Sequence, residues 1–152
     1  MKIFLVAMVS ALSIFLSGCN GASKTAQFGL LNNRLQPCPE APNCVSSTET
    51  DTQKMAAPFH LQVEATEAWA TIVEIITARP RTHIISVTDR YLHAECRSAI
   101  FGFIDDLELL LHPELQLVTI RSAARLGYYD FGVNRKRVED LRLKLNSTGL
   151  VR

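Results

Sequence analysis

The chain has 152 residues, with 16 Lys and Arg against 15 Asp and Glu, a formal charge of +1, and 47% apolar residues. This balance excludes a protein that holds nucleic acid through bulk positive charge, which needs a large excess of Lys and Arg. The length suits one compact domain whose core needs neither a metal nor several disulfides.

Met1 and Lys2 form a short positive start, and Ile3 to Leu16 is an apolar run broken only by Ser10 and Ser13. Leu16-Ser17-Gly18-Cys19 follows at once, so residues 1–18 read as a signal peptide cut before Cys19. The alternative is an uncleaved anchor helix, but the run falls short of the ~20 apolar residues a span requires and no positive stop-transfer flank follows it. The Leu-Ser-Gly-Cys sequence resembles the lipobox of bacterial lipoproteins. The resemblance implies a diacylglyceryl thioether on Cys19 and an N-acyl chain. Several chains anchor firmly, whereas one myristoyl chain, at ~0.8 kcal/mol per buried methylene, binds only marginally. Asn20 is not the Asp that retains lipoproteins at the inner membrane, so the resemblance implies the periplasmic face of the outer membrane in a host with two membranes. Cleavage removes Lys2 and no acid, leaving 15 basic residues against 15 acidic ones.

Residues 19–37 are rich in Asn, Gly, Ser, Thr and Gln, with a small apolar patch at Phe28, Leu30 and Leu31, and read as a tether. Residues 38–152 are expected to form a single domain. It begins with Cys38-Pro39-Glu40-Ala41-Pro42-Asn43-Cys44, where two prolines stiffen a short loop. In an oxidising compartment this predicts a Cys38–Cys44 disulfide. A metal or redox pair is the alternative, disfavoured because those motifs place cysteines closer together or with histidines. Cys96 is then unpaired and expected in the core.

The apolar spacing of Trp69, Ile72, Val73 and Ile76 predicts a helix from about Thr66 to Arg79, ended by Pro80. Strand-like segments follow at Thr82 to Thr88, Arg90 to Ala99, Ile104 to Leu111 and Leu115 to Ala124. The His112-Pro113-Glu114 turn allows antiparallel pairing of the last two. A last helix carries Val138, Leu141 and Leu145 inward, with Asn134 as its expected N-cap and Gly149 closing it. The pattern predicts an α+β fold, a four-stranded antiparallel sheet with helices packed on one face.

Alternation sorts the strand residues by face. Tyr91, His93, Glu95 and Arg97 oppose Leu92, Ala94, Cys96 and Ser98; Asp106 and Glu108 oppose Asp105, Leu107 and Leu109; Thr119 and Arg121 oppose Val118, Ile120 and Ser122. One face therefore gathers mixed charge, either as a solvated surface laced with ion pairs or as a binding surface.

The segment from Arg121 to Arg137 joins the last strand to the final helix. Arg135, Lys136 and Arg137 occupy a first helical turn, where acids are preferred over bases. A positive helix start with free N–H groups suits an anion. Arg121, Arg125, Asn134, Arg135 and Arg137 are therefore the candidate site for a carboxylate or phosphate ligand. Internal neutralisation by Asp105, Asp106 or Asp130 is the competing expectation.

Four stretches together resemble the DUF1499 family, a domain family of unknown function with many bacterial lipoproteins. They are Cys38 to Ser47, Tyr91-x-His93-Ala94-Glu95, Phe101-x-Phe103-x-Asp105-Asp106-x-Glu108, and Arg121-Ser122-Ala123 through Asn134-Arg135-x-Arg137. The resemblance covers Cys38 to about Leu145. Ala124 and Tyr129 depart from the family pattern, so neither is given a shared role. The resemblance implies domain boundaries and carries no activity.

Two enzyme readings are weaker. A zinc deaminase around His93, Glu95 and Cys96 lacks the downstream cysteine pair. A hydrolase built from Ser98 or Ser122, His93 or His83, and Asp106 lacks a nucleophile elbow. The sequence thus points to an envelope lipoprotein acting as a non-catalytic binding or structural module. An envelope hydrolase using His93, Glu95 and Asp106 is the alternative. The expected partners are the membrane through Cys19 and an envelope protein or small anionic ligand, with no nucleic acid, cofactor or metal.

Overall fold

The computed structural model describes residues 27–152. The apolar leader, Cys19 and the first part of the expected tether lie outside the described residues. Two short strands, β1 (Leu30–Leu31) and β2 (Arg34–Leu35), pair as a hairpin. Its turn residues Asn32 and Asn33 both have positive φ, a conformation that Asn tolerates better than most residues and that a tight hairpin requires. The chain continues through β3 (Cys44–Ser46), β4 (Phe59–His60) and helix α1 (Ala65–Thr77). Four long strands follow: β5 (Thr82–Val87), β6 (Tyr91–Arg97), β7 (Ile104–His112) and β8 (Leu117–Ala124). Helix α2 (Val133–Ser147) ends the domain.

The fold is α+β, but the main sheet has six antiparallel strands rather than four. Its order is β3-β8-β7-β6-β5, and β4 pairs with β8 beyond β3 along the same edge. The four predicted strands are all present, and the two additional ones are three and two residues long. Segments that short show no alternation, so only pairing with β8 defines them.

Helix α1 starts where the Glu64 carboxylate accepts the N–H groups of Thr66 and Glu67. It buries Trp69, Ile72 and Ile76 in the same cluster as Leu92, Leu107, Leu109, Val118 and Ile120 of the sheet. Val138, Leu141 and Leu145 of α2 join that cluster, so both helices cover one face. Each such side chain contributes roughly 1.5–3 kcal/mol by leaving water. Cys96 is free and buried on this face, as alternation predicts. Among the described residues no helix is long and apolar enough to cross a membrane.

The start of α2 departs from expectation. Its N-cap is Gly132, at φ 78°, and Asn134 lies buried within the first turn. Asp130 does the capping: its carboxylate accepts the N–H groups of Gly132 (3.0 Å) and Asn134 (2.8 Å). An acid therefore precedes the basic first turn and offsets it against the helix dipole. The Asn134 side chain is thereby free for a different task.

Candidate functional site: two buried charge clusters

The first cluster sits on the sheet face that carries no helix. Register sets His93 opposite Glu108, Glu95 opposite Asp106, and Glu108 opposite Arg121. These cross-strand neighbours share a face. His93 Nε2 lies 2.6 Å from Asp106 Oδ1, and Arg125 grips the same carboxylate through Nε (2.9 Å) and Nη2 (2.7 Å). Arg125 also reaches Glu95 at 2.7 Å. Glu108 accepts three donors: Arg121 Nη1 (2.7 Å), the Tyr91 hydroxyl (2.7 Å) and the Gly29 N–H (2.6 Å).

This is not a solvated surface. Asp106, Glu108 and Arg121 are wholly buried and His93 nearly so. Part of the cover comes from residues 28–35, within the stretch read as a tether. Phe28 stacks on the His93 ring at 4.6 Å between centroids and lies 5.4 Å beneath the Arg125 guanidinium. Gly29 then anchors the backbone on Glu108. A lone buried ion is expensive, so the charges persist only because each is paired.

Burial pushes the Asp106 carboxyl up, but the hydrogen bonds from Arg125 and His93 outweigh it and hold the group below the usual carboxylate range. Burial, then the bond to Glu108, raises the Tyr91 phenol well above its ordinary value, so Tyr91 is a fixed donor. Two Arg121 nitrogens, Nε and Nη2, find no hydrogen-bond partner among the described residues.

The second cluster lies on the helix-bearing side, at the end of the sheet where β7 begins and β8 ends. Arg137 Nη2 binds Asp105 Oδ2 at 2.5 Å, and Arg137 Nη1 reaches Ser122 Oγ at 2.9 Å. The Asn134 carbonyl accepts from Ser122 (2.7 Å) and from Arg137. Its amide donates to the Asn43 backbone carbonyl at 3.0 Å, and Asn43 donates to Gly127 O. Burial raises the Asp105 carboxyl above its ordinary range despite Arg137. The network ties α2, the sheet and the start of β3 together. Next to Asn43, the Cys38–Cys44 disulfide is formed, with its Cα atoms 5.6 Å apart.

The candidate anion residues do not converge on one pocket. Arg121 faces Glu108 on the open side of the sheet, whereas Asn134 and Arg137 meet Ser122 on the helix side. Arg125 is engaged by Asp106 and Glu95. Arg135 spends its guanidinium on the backbone carbonyls of Met55 (3.1 Å) and Gln53 (2.9 Å). His93, Glu95 and Asp106 are brought together, the last two through Arg125. Neither serine expected for a hydrolase joins them: Ser122 is on the opposite face, and Ser98 Oγ accepts the Phe103 N–H. Among the described residues no three His, Cys, Asp or Glu side chains group as a metal site. Sequence reasoning missed Phe28, Gly29 and Asn43. The signals for them are the apolar patch around Phe28, inside a polar segment, and the place of Asn43 beside Cys44 in the first family-like stretch.

A family model described as a protein of unknown function, DUF1499, matches residues 34–145. The chain belongs to the DUF1499 family. The DUF1499 segment begins four residues before Cys38, with β2. It contains all the charged members of both clusters, while Phe28 and Gly29, which cover the first, precede it. No curated protein and no solved structure matches the chain.

Proposed function

We propose that this DUF1499 chain is an envelope lipoprotein, anchored through lipid on Cys19 at the periplasmic face of the outer membrane, whose domain is a non-catalytic binding or structural module. The anchor rests on the apolar run that ends in Leu16-Ser17-Gly18-Cys19. The Cys38–Cys44 bridge supports an exported domain, since disulfides persist in oxidising compartments.

The observation that carries the non-catalytic role is internal pairing. Each arginine from the strand–helix junction is bound to a carboxylate or carbonyl of the same chain, and the His93–Asp106 pair is capped by Phe28. Such a cluster orients elements against one another instead of presenting charge to a substrate. An anionic ligand would have to displace Glu108, Asp106 or Asp105 from its arginine.

Membrane fractionation of cells producing the full chain and its Cys19→Ser variant tests the anchor. The parent belongs in the membrane fraction and the variant in the soluble periplasm; identical partition of the two refutes the reading. The His93–Asp106 pair favours the hydrolase alternative, and ester turnover that disappears in His93→Gln, with folding intact, would establish it.

A further inference from the structure

The most exposed large apolar side chains gather at one end of the domain. The β6–β7 turn presents Ile100, Phe101 and Phe103, and the β8–α2 connection presents Leu126, Tyr129 and Phe131. Ile100 and Phe131 are 85% and 96% exposed. The two segments leave the same end of the sheet: Ser98 N–H donates to Phe103 O (2.8 Å), and Arg125 N–H to Ile104 O (3.3 Å). Single exposed apolar residues are ordinary on a protein surface, but several gathered at one end of a domain mark a contact surface. Arg81 and Arg97 stand exposed at this end too, joined by the Arg97 N–H bond to Arg81 O at 2.8 Å.

The path of the chain selects the occupant. Asn33 and Leu30 lie beside Arg90 and His112, toward the far end of the sheet, whereas Phe28 packs on His93 and Arg125. Followed toward the N-terminus, the backbone therefore runs toward the apolar end. Only nine residue steps lead from Cys19 to Phe28, and nine extended residues reach at most about 30 Å. A lipid on Cys19 thus tethers the domain by the side on which the chain approaches this end. Aromatic rings flanked by arginines are the side chains that settle at the headgroup level, the arginines drawn by anionic lipid.

We infer that the end of the domain formed by the β6–β7 turn and the β8–α2 connection seats in the lipid–water interface of the membrane that carries Cys19. The inference rests on the lipid-anchor reading and adds a defined orientation: the disulfide end faces the lipid, and the Pro113–Leu115 turn faces away. Phe101 and Phe131 enter the headgroup region without spanning it.

Full-length lipidated protein in vesicles of phosphatidylethanolamine and phosphatidylglycerol, with brominated acyl chains, provides the test. Phe101→Trp, Phe131→Trp and, at the far end, Leu115→Trp are compared, each after subtraction of the buried native Trp69 signal. All three positions are highly exposed, so the new indoles replace no core contact. Insertion at interfacial depth predicts quenching at positions 101 and 131 at least about twofold stronger than at 115. Equal quenching at both ends, with Cys19 lipid confirmed by intact mass, overturns the inference, leaves the anchor intact, and turns the apolar end toward a protein partner. An unmodified Cys19 overturns the anchor reading and the orientation with it.

Discussion

Glu108→Gln isolates the weight of the covered cluster. The substitution keeps shape and removes one charge opposite Arg121, which is wholly buried. A carboxylate accepts at both oxygens, and Glu108 uses both: Oε2 for Arg121, Oε1 for Tyr91 and Gly29. A glutamine must turn its amino group toward one of these donors, so at least one buried donor loses its acceptor. Removing one member of a buried ion pair costs about 3–5 kcal/mol. That is a large part of the 5–15 kcal/mol that stabilises a typical domain. In a domain of this size it lowers the thermal midpoint by roughly 10–20 °C. Trp69, the sole tryptophan, reports unfolding because it is buried and donates to Thr88 O at 3.0 Å. The double variant Glu108→Gln/Arg121→Met should recover part of the loss, since the stranded charge is gone. A Glu108→Gln unfolding free energy within about 1 kcal/mol of the parent would match a solvent-screened surface pair and refute the burial argument.

The pH dependence of stability carries opposite contributions from adjacent acids. Asp106 is held below its unfolded value, so its contribution is present above the unfolded carboxylate pKa of about 3.9 and is lost as pH falls through the lower folded one. Asp105, raised by burial, contributes in the opposite sense: its share is present at low pH and lost as pH rises through its folded pKa. Urea midpoints measured across the acid range should therefore fall less steeply in Asp106→Asn than in the parent, and an equally steep fall removes Asp106 as the cause. Reducing the Cys38–Cys44 bridge, which closes a loop of six-residue separation, should cost about 2 kcal/mol by the chain-entropy relation. Thermal scans with and without reductant measure it, and an unchanged midpoint counts against a stabilising bridge. Phe28→Ala should uncover His93 while leaving the helix-face core intact. Acylation of His93 by diethylpyrocarbonate, followed by peptide mass analysis, should become several-fold faster; an unchanged rate would mean that other residues supply the cover.

Much of the fold is legible in local pattern. Trp69, Ile72 and Ile76 recur at helical spacing and are buried in α1, and alternation from Tyr91 to Arg97 assigns Cys96 inward and His93 to the other face. The same alternation places Asp106, Glu108 and Arg121 together on the helix-free face, but it is silent on whether water reaches them. Their burial depends in part on Phe28 and Gly29, about 80 residues from Glu108 in the chain, packing across the sheet. The helix start shows the other limit. Asn134 is a good capping residue by type, yet Asp130 reaches the free N–H groups first and Asn134 turns inward to Ser122 and Asn43.

By itself the sequence determines what depends on neighbours along the chain. The two-residue period of strands, the helical period of α1, the close spacing of Cys38 and Cys44 and the family stretches are all local signals, and the structure contains the corresponding features. Only the tertiary structure decides which arginine meets which carboxylate, because the partners are 13 to 32 residues apart and their meeting depends on strand register and helix docking. It also separates Arg121 from Arg137 on opposite faces, although both belong to one sequence stretch. The physical reason is the pleat: neighbouring residues of a strand point to opposite sides, so a candidate site continuous in sequence divides into two clusters in space.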